Sequence, residues 1–205
     1  MEPPMPRLVR LLAAMLVLAS VCWSAAPVLA AGDASSALFD AYAKMINSRC
    51  VAETVSTDAK GRESRSKVEF DTIERIRVSA DQASFIVLPE GTWMRSGDGE
   101  WMKPPFDMSA LFKRLVPSTL EEIRAGTRNI RDEGMQTVDG QNLRAVSFDV
   151  NTQVMGISVS SHNTVFIDAS GRIVRSVSDA EAMGQKTHSV QKNRYDDSIR
   201  ISAPD

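Results

Sequence analysis

Beyond Arg49 the chain alternates apolar and polar side chains with a period of two, the way a strand turns one face to a core and the other to water. Cys50 to Thr57 reads as a strand, Ala59-Lys60-Gly61-Arg62 as a turn and Glu63 to Phe70 as the return, with Val68 and Phe70 alternating against Lys67, Glu69 and Asp71. The pattern predicts further strands over Arg75–Ser79, Ser84–Leu88, Thr92–Arg95 and Glu100–Lys103, separated by Asp81-Gln82, Pro89-Glu90-Gly91 and Gly97-Asp98-Gly99. It resumes from Thr127 to Val138, turns at Asp139-Gly140 and continues through Leu143–Asn151, where Val146, Phe148 and Val150 share a face. Residues 157–168 alternate most plainly, Ile157, Val159, Val165 and Ile167 against Ser158, Ser160, His162 and Thr164. Ser170-Gly171 then turns the chain into Arg172–Glu181, and Gln185–Tyr195 is the final strand. Strands this short, with turns this close, predict an antiparallel meander of about ten strands.

Two stretches change to a helical period. Within residues 37–47, Leu38, Phe39, Tyr42, Met45 and Ile46 fall on one face, behind the capping candidates Ser35 and Ser36. After Pro104-Pro105, a second stripe carries Met108, Leu111, Phe112, Leu115 and Val116 until Pro117 breaks it. Ser118 with Glu121 then predicts a capping box and a short helix holding Leu120 and Ile123. The prolines that punctuate Met108–Ile123 predict a mobile lid there. The chain is thus mainly β, of the α+β class, and a sheet this large must curl, close or be covered.

The first thirty residues follow another logic. Arg7 and Arg10 precede an apolar run from Leu11 to Val21, and Val28-Leu29-Ala30 is a small-residue cleavage site, so residues 1–30 are expected to be a signal peptide removed after Ala30. The run is shorter than the roughly 18 apolar residues a spanning helix needs. Cys22 could suggest lipid attachment, but Val21 before it is too bulky for that processing site. Residues 31–205 are expected to be one periplasmic domain with no transmembrane segment. The formal net charge of −2 argues against nucleic acid as a partner, since phosphate binding needs a concentrated basic surface. Cys50 is the one cysteine of that domain, so no disulfide can form within it, and it reads as a strand residue rather than a nucleophile.

Candidate chemistry is sparse. His162 and His188 belong to no metal-ligand spacing and read as solvent-facing strand residues. Ser64-Arg65-Ser66-Lys67 matches a Ser-x-x-Lys motif but lies in a strand, whereas that chemistry places the serine at a helix start. Glu121-Glu122, Asp132-Glu133 and Asp196-Asp197 are sequence neighbours that regular structure cannot turn toward one site, and roles as cap, turn and tail suffice for them. No catalytic residue, metal site or cofactor is assigned. More suggestive are Trp93-Met94 and Trp101-Met102 on the two arms of a hairpin, with Phe106 following. Together with Met108, Leu111, Phe112 and Leu115 they form a candidate lining for a flexible apolar ligand, whose filling the tryptophans would report; core packing would use such residues equally well.

The order of elements over Val68–Pro105 resembles the exported lipoprotein-carrier superfamily, which comprises LolA, LolB and the mycobacterial LppX and LprG type. The resemblance rests on Glu74-Arg75-Ile76-Arg77-Val78, then a strand, a Gly turn, Trp93, an Asp-Gly turn and Trp101-Met102-Lys103-Pro104. It extends to Val138-Asp139-Gly140-Gln141, the strand Leu143–Val150 and Ile167-Asp168-Ala169-Ser170-Gly171-Arg172-Ile173. It implies a curled antiparallel sheet forming an unclosed half-barrel, with helices covering a concave apolar face that receives acyl chains. Where LolA carries an arginine just before a proline in an early strand, this chain reads Phe70-Asp71-Thr72, so that gating residue does not transfer. The reading is a periplasmic, non-enzymatic carrier of lipid or of the acyl chains of a lipoprotein. The alternatives are a cell-envelope module of the same fold that binds a protein and has a packed interior, and then a hydrolase, for which no nucleophile, base and orienter can be named together.

Overall fold

The computed structural model describes residues 32–104, 119–154 and 157–204. Helix α1 (Gly32–Ile46) precedes five strands, β1 (Cys50–Asp58), β2 (Glu63–Thr72), β3 (Arg75–Ala80), β4 (Ala83–Leu88) and β5 (Gly91–Ser96). Helix α2 (Leu120–Gly126) precedes five more, β6 (Thr127–Val138), β7 (Gln141–Val154), β8 (Ile157–Ile167), β9 (Ile173–Ala182) and β10 (Gln185–Tyr195). All ten strands form one antiparallel sheet in the order β5-β4-β3-β2-β1-β10-β9-β8-β7-β6. Each half is a meander made by local hairpins. The halves join through β1 and β10, whose register runs from Cys50 opposite Tyr195 to Asp58 opposite Thr187. Strands β5 and β6 are consecutive strands of the described chain yet stand at opposite edges, so the sheet is an unclosed half-barrel with two helices among the described residues, mainly β as expected.

Both helices sit where apolar spacing directs them. Ala34, Leu38, Ala41 and Tyr42 of α1 are buried with Ile123 of α2 against Val146, Phe148, Val150, Val165 and Ile173. Tyr42 meets Phe148 edge-on, with ring centroids 6.3 Å apart and planes at 78°. Helix α1 is tied down at both ends. Arg144 bonds Asp33 in its first turn at 2.9 Å, and Lys44 near its last donates to the Ser170 carbonyl at 2.6 Å. Gly171, at φ +75°, makes the second tie possible, since a Cβ there would lie 2.5 Å from the Lys44 Nζ.

Three local expectations are corrected. Helix α1 starts at Gly32 rather than behind Ser35 and Ser36, because Ala34 extends its buried stripe by a turn. The capping box of α2 uses Thr119 and Glu122 instead of Ser118 and Glu121: the Glu122 N–H donates to the Thr119 hydroxyl and the Thr119 N–H to the Glu122 carboxylate, both at 3.2 Å. Glu100–Lys103 is not a strand; Met102 alone pairs, through an isolated bridge to Met94. On one side Pro104, two residues beyond Met102, has no N–H with which to extend the ladder. The expected signal peptide and the stripe holding Phe106, Met108, Leu111, Phe112 and Leu115 lie outside the described residues.

Candidate functional site

Successive strand residues point to opposite sides of a sheet, and the register sorts this one into a face under the helices and a face away from them. The inner, helix-covered face is apolar at both ends. Over β6–β9 it is the cluster filled by α1 and α2. Over β1–β5 it is a second cluster of Cys50, Ala52, Val68, Phe70, Ile76, Val78, Phe85 and Val87, bordered by Met94 and Tyr195. Among the described helical residues, only Met45 at the end of α1 packs against this second cluster.

Between the two apolar regions runs a belt of uncharged polar side chains. Ser56 stands opposite Ser189, Ser189 opposite Ser178 and Ser178 opposite Asn163, so one row crosses β1, β10, β9 and β8. Thr54 and Gln191 form the start of a second row beside it. All six are buried. Most are satisfied within the sheet: the Ser56 and Ser189 hydroxyls lie 2.9 Å apart, Gln191 donates to the Asn193 oxygen at 2.9 Å, and Asn193 donates to the Ile173 carbonyl at 3.1 Å. Asn163 donates to the Ser161 hydroxyl at 2.9 Å. The Ser178 hydroxyl, in the middle of the row, has no partner. Ser and Thr at these positions read locally as strand residues facing water; their parity with Cys50, Ala52 and Val165 was the available sign that they face inward.

The predicted lining is divided by the same alternation. Met94 opposes Phe85 and lies on the inner face. Trp93 opposes Ile86 and packs on the outer face with Leu88, Trp101 and the C-terminal residues Ile199 and Ile201. The Arg95 guanidinium sits 4.8 Å from the Trp101 ring centroid and the Lys103 ammonium 5.6 Å from that of Trp93, which makes this outer patch a stack of cations and indoles. Met102 joins Met94 through the backbone, but its side chain is 59% exposed. The two tryptophans therefore stand across the sheet from Met94, in no position to report directly on the inner face.

The titratable groups are arranged for structure. Burial pushes the Cys50 thiol up to about 11, so it is protonated and a poor nucleophile at neutral pH. His162 bonds Asp149 at 2.7 Å and His188 bonds Asp179 at 2.8 Å, both on the exposed outer face. Burial alone would raise the Asp149 carboxyl, but hydrogen bonds from Asn129 and His162 outweigh it and hold it below its ordinary value. Arg49 holds Asp71 low through a 2.7 Å bond, and Asp71 also accepts the Ile201 N–H, which seats the C-terminal segment. Among the described residues no group of three or more His, Cys, Asp and Glu could hold a metal ion, and no helix is long and apolar enough to cross a membrane.

No family model and no curated protein matches the sequence. Solved structures do. LprF from Mycobacterium bovis is similar over 85% of this chain and 98% of its own, with a TM-score of 0.56 at 14% identity. Lipoprotein LppX from Mycobacterium tuberculosis is similar over 82% of this chain and 98% of its own, with a TM-score of 0.55 at 12% identity. A LolA superfamily protein from Nitrosomonas europaea matches over 80% of this chain and 92% of its own, with a TM-score of 0.32 at 11% identity. The match over nearly the whole of LprF and LppX shows that this chain has the fold of those two proteins.

Proposed function

We propose that this protein is exported to the periplasm and there binds lipid, or the acyl chains of a lipoprotein, on the inner face of its sheet without catalysing a reaction. The observation that carries this reading is the apolar inner face of β1–β5, which α1 and α2 leave to other partners except at Met45. Burying an acyl chain there releases about 25 cal/mol per Å² of apolar surface, enough to hold a lipid reversibly once a cover is displaced. The apolar side chains that follow the hairpin in sequence, Phe106, Met108, Leu111, Phe112 and Leu115, belong to the proposal as groups that meet the ligand together with Met94. The fold shared with lipoprotein LppX supports it.

A second reading, an envelope protein that recognises a protein partner and keeps its interior packed, draws support from the burial of Val68, Ile76, Val78 and Phe85. Displacement of a fluorescent fatty acid analogue from the purified protein separates the two. Saturable binding lost on Val78→Asp, with the variant still folded, supports the carrier; no saturable binding by the wild type supports the packed module.

A further inference from the structure

On the outer face, the hairpin after β5 carries its charge differently from the strands beside it. On β2 and β3 the outward cations are matched: Arg65 pairs with Glu63, Lys67 and Arg77 share Glu69, and Arg75 pairs with Glu90. Arg95 and Lys103 have no carboxylate partner among the described residues. Each lies on an indole instead, 4.8 Å from the Trp101 ring centroid and 5.6 Å from that of Trp93. A ring face holds a cation without cancelling its charge. The Arg95 Nε is moreover buried with no hydrogen bond, a donor that the protein itself leaves unmatched. Asp98 and Glu100, the nearest carboxylates in sequence, are exposed in the turn beyond the patch and pair with neither cation.

The same patch is apolar, firmly held and open to solvent. Trp93 packs with Ile86, Leu88, Ile199 and Ile201, and Trp101 is fixed beside it by the Met94–Met102 bridge, whose two backbone bonds measure 2.8 and 2.9 Å. Both indoles are half-buried, while Lys103 is exposed and Met102 is 59% exposed. Half-buried indoles rimmed by arginine and lysine, next to an exposed thioether, are the side chains that partition into the headgroup layer of a membrane. Their apolar parts reach the acyl boundary while the cations stay with the phosphates. A free anion or an acidic peptide would match the cations but leave Met102 and the open indole edges in water. We propose that this outer patch docks the protein on an anionic phospholipid surface. Arg95 and Lys103 donate to headgroup phosphates, and Trp93, Trp101 and Met102 enter the interface. Two cations and three apolar side chains give a weak, reversible attachment. The assignment does not depend on what the inner face binds, so it stands or falls apart from the carrier reading.

The test is sedimentation of the exported protein with vesicles of equal parts phosphatidylglycerol and phosphatidylcholine, against vesicles of phosphatidylcholine alone. Trp93 and Trp101 are the only tryptophans of residues 31–205, so quenching by lipid brominated on its acyl chains reads the patch itself. The wild type is expected to bind the anionic vesicles about tenfold or more tightly than the neutral ones, to be quenched there, and to be released by salt. Arg95→Gln and Lys103→Gln should each weaken binding about fivefold, the equivalent of about 1 kcal/mol per charge near an anionic surface. Thermal melting checks that the variants fold, and Lys103, being exposed, keeps the test sound if Arg95→Gln loses stability. Met102→Ser should weaken binding without changing its salt dependence, which attraction by charge alone would not give. Binding to neither vesicle, equal binding to both, sedimentation without quenching, or binding unaffected by Lys103→Gln would overturn the proposal and leave the carrier reading untouched. Release by inorganic phosphate beyond that by sodium chloride of equal ionic strength would assign the cations to a free anion. A solution dimer that Met102→Ser dissociates would assign the patch to a second copy of the chain. Either result also overturns the membrane assignment.

Discussion

Helix α1 is the element whose role most divides the possible accounts, and Leu38→Ala tests it. Leu38 is 0% exposed and clusters with Val146, Phe148 and Val165, which lie on the paired strands β7 and β8, held between β6 and β9, and cannot collapse into the space it leaves. Leucine-to-alanine changes in such cores cost about 2–5 kcal/mol, and a floor this constrained places the value in the upper part, about 3–4 kcal/mol. For a domain of this size each kcal/mol moves the melting temperature by about 2–4 °C, so a fall of about 6–16 °C is expected. The ties from Asp33 to Arg144 and from Lys44 to Ser170 hold the helix at both ends, so the loss should appear as stability and not as altered access. Urea unfolding gives the first quantity, and titration with a fluorescent fatty acid analogue under native conditions the second. Affinity is expected to stay within about twofold of the wild type, since no ligand contact is removed. A variant of unchanged stability that binds the probe tenfold more tightly would refute this reasoning and make α1 an exchangeable cover.

Met94→Lys should abolish probe binding while Trp93→Ser, one residue along on the other face, leaves it intact; equal effects in the displacement titration would contradict the division of the hairpin. Asp71 and Asp132 are held below their ordinary values, each first by an arginine, Arg49 and Arg144 respectively. Their stabilisation is therefore present above about pH 4 and is lost as pH falls through the depressed values, and Asp71→Asn should flatten that acid limb in pH-dependent melting. Cys50 should resist alkylation at pH 8 in the native protein and react quickly in denaturant; rapid native modification would mean that the inner face near β1 opens readily. Intact mass of protein recovered from the periplasm should correspond to a chain beginning at Ala31, and an acylated chain beginning at Cys22 would contradict the expected processing.

Local alternation made most of the sheet legible. The bounds of β6 and β10 were readable to the residue, and the pairing of the Met94 and Met102 arms followed from the Gly-Asp-Gly turn between them. The joining of β1 to β10 was not readable, because it links residues at the two ends of the domain and no local turn announces it. The site was harder still. Clustering in sequence suggested one lining for Trp93, Met94, Trp101 and Met102, but neighbours in a strand face opposite ways, and parity would have separated Trp93 from Met94. The belt is hidden in the sequence because Ser56, Ser178 and Ser189 are residues that ordinarily mark a wet face. Only the register across four strands shows that they form a single buried row.

Native mass spectrometry of the protein purified from the cell envelope without detergent tests the carrier reading most directly. The account predicts a fraction of molecules heavier than the polypeptide by the mass of a lipid, released as an extractable lipid on unfolding and diminished in Val78→Asp. A homogeneous mass equal to the chain alone, together with no saturable uptake of any acyl probe, would contradict it and leave the inner face as a packed core.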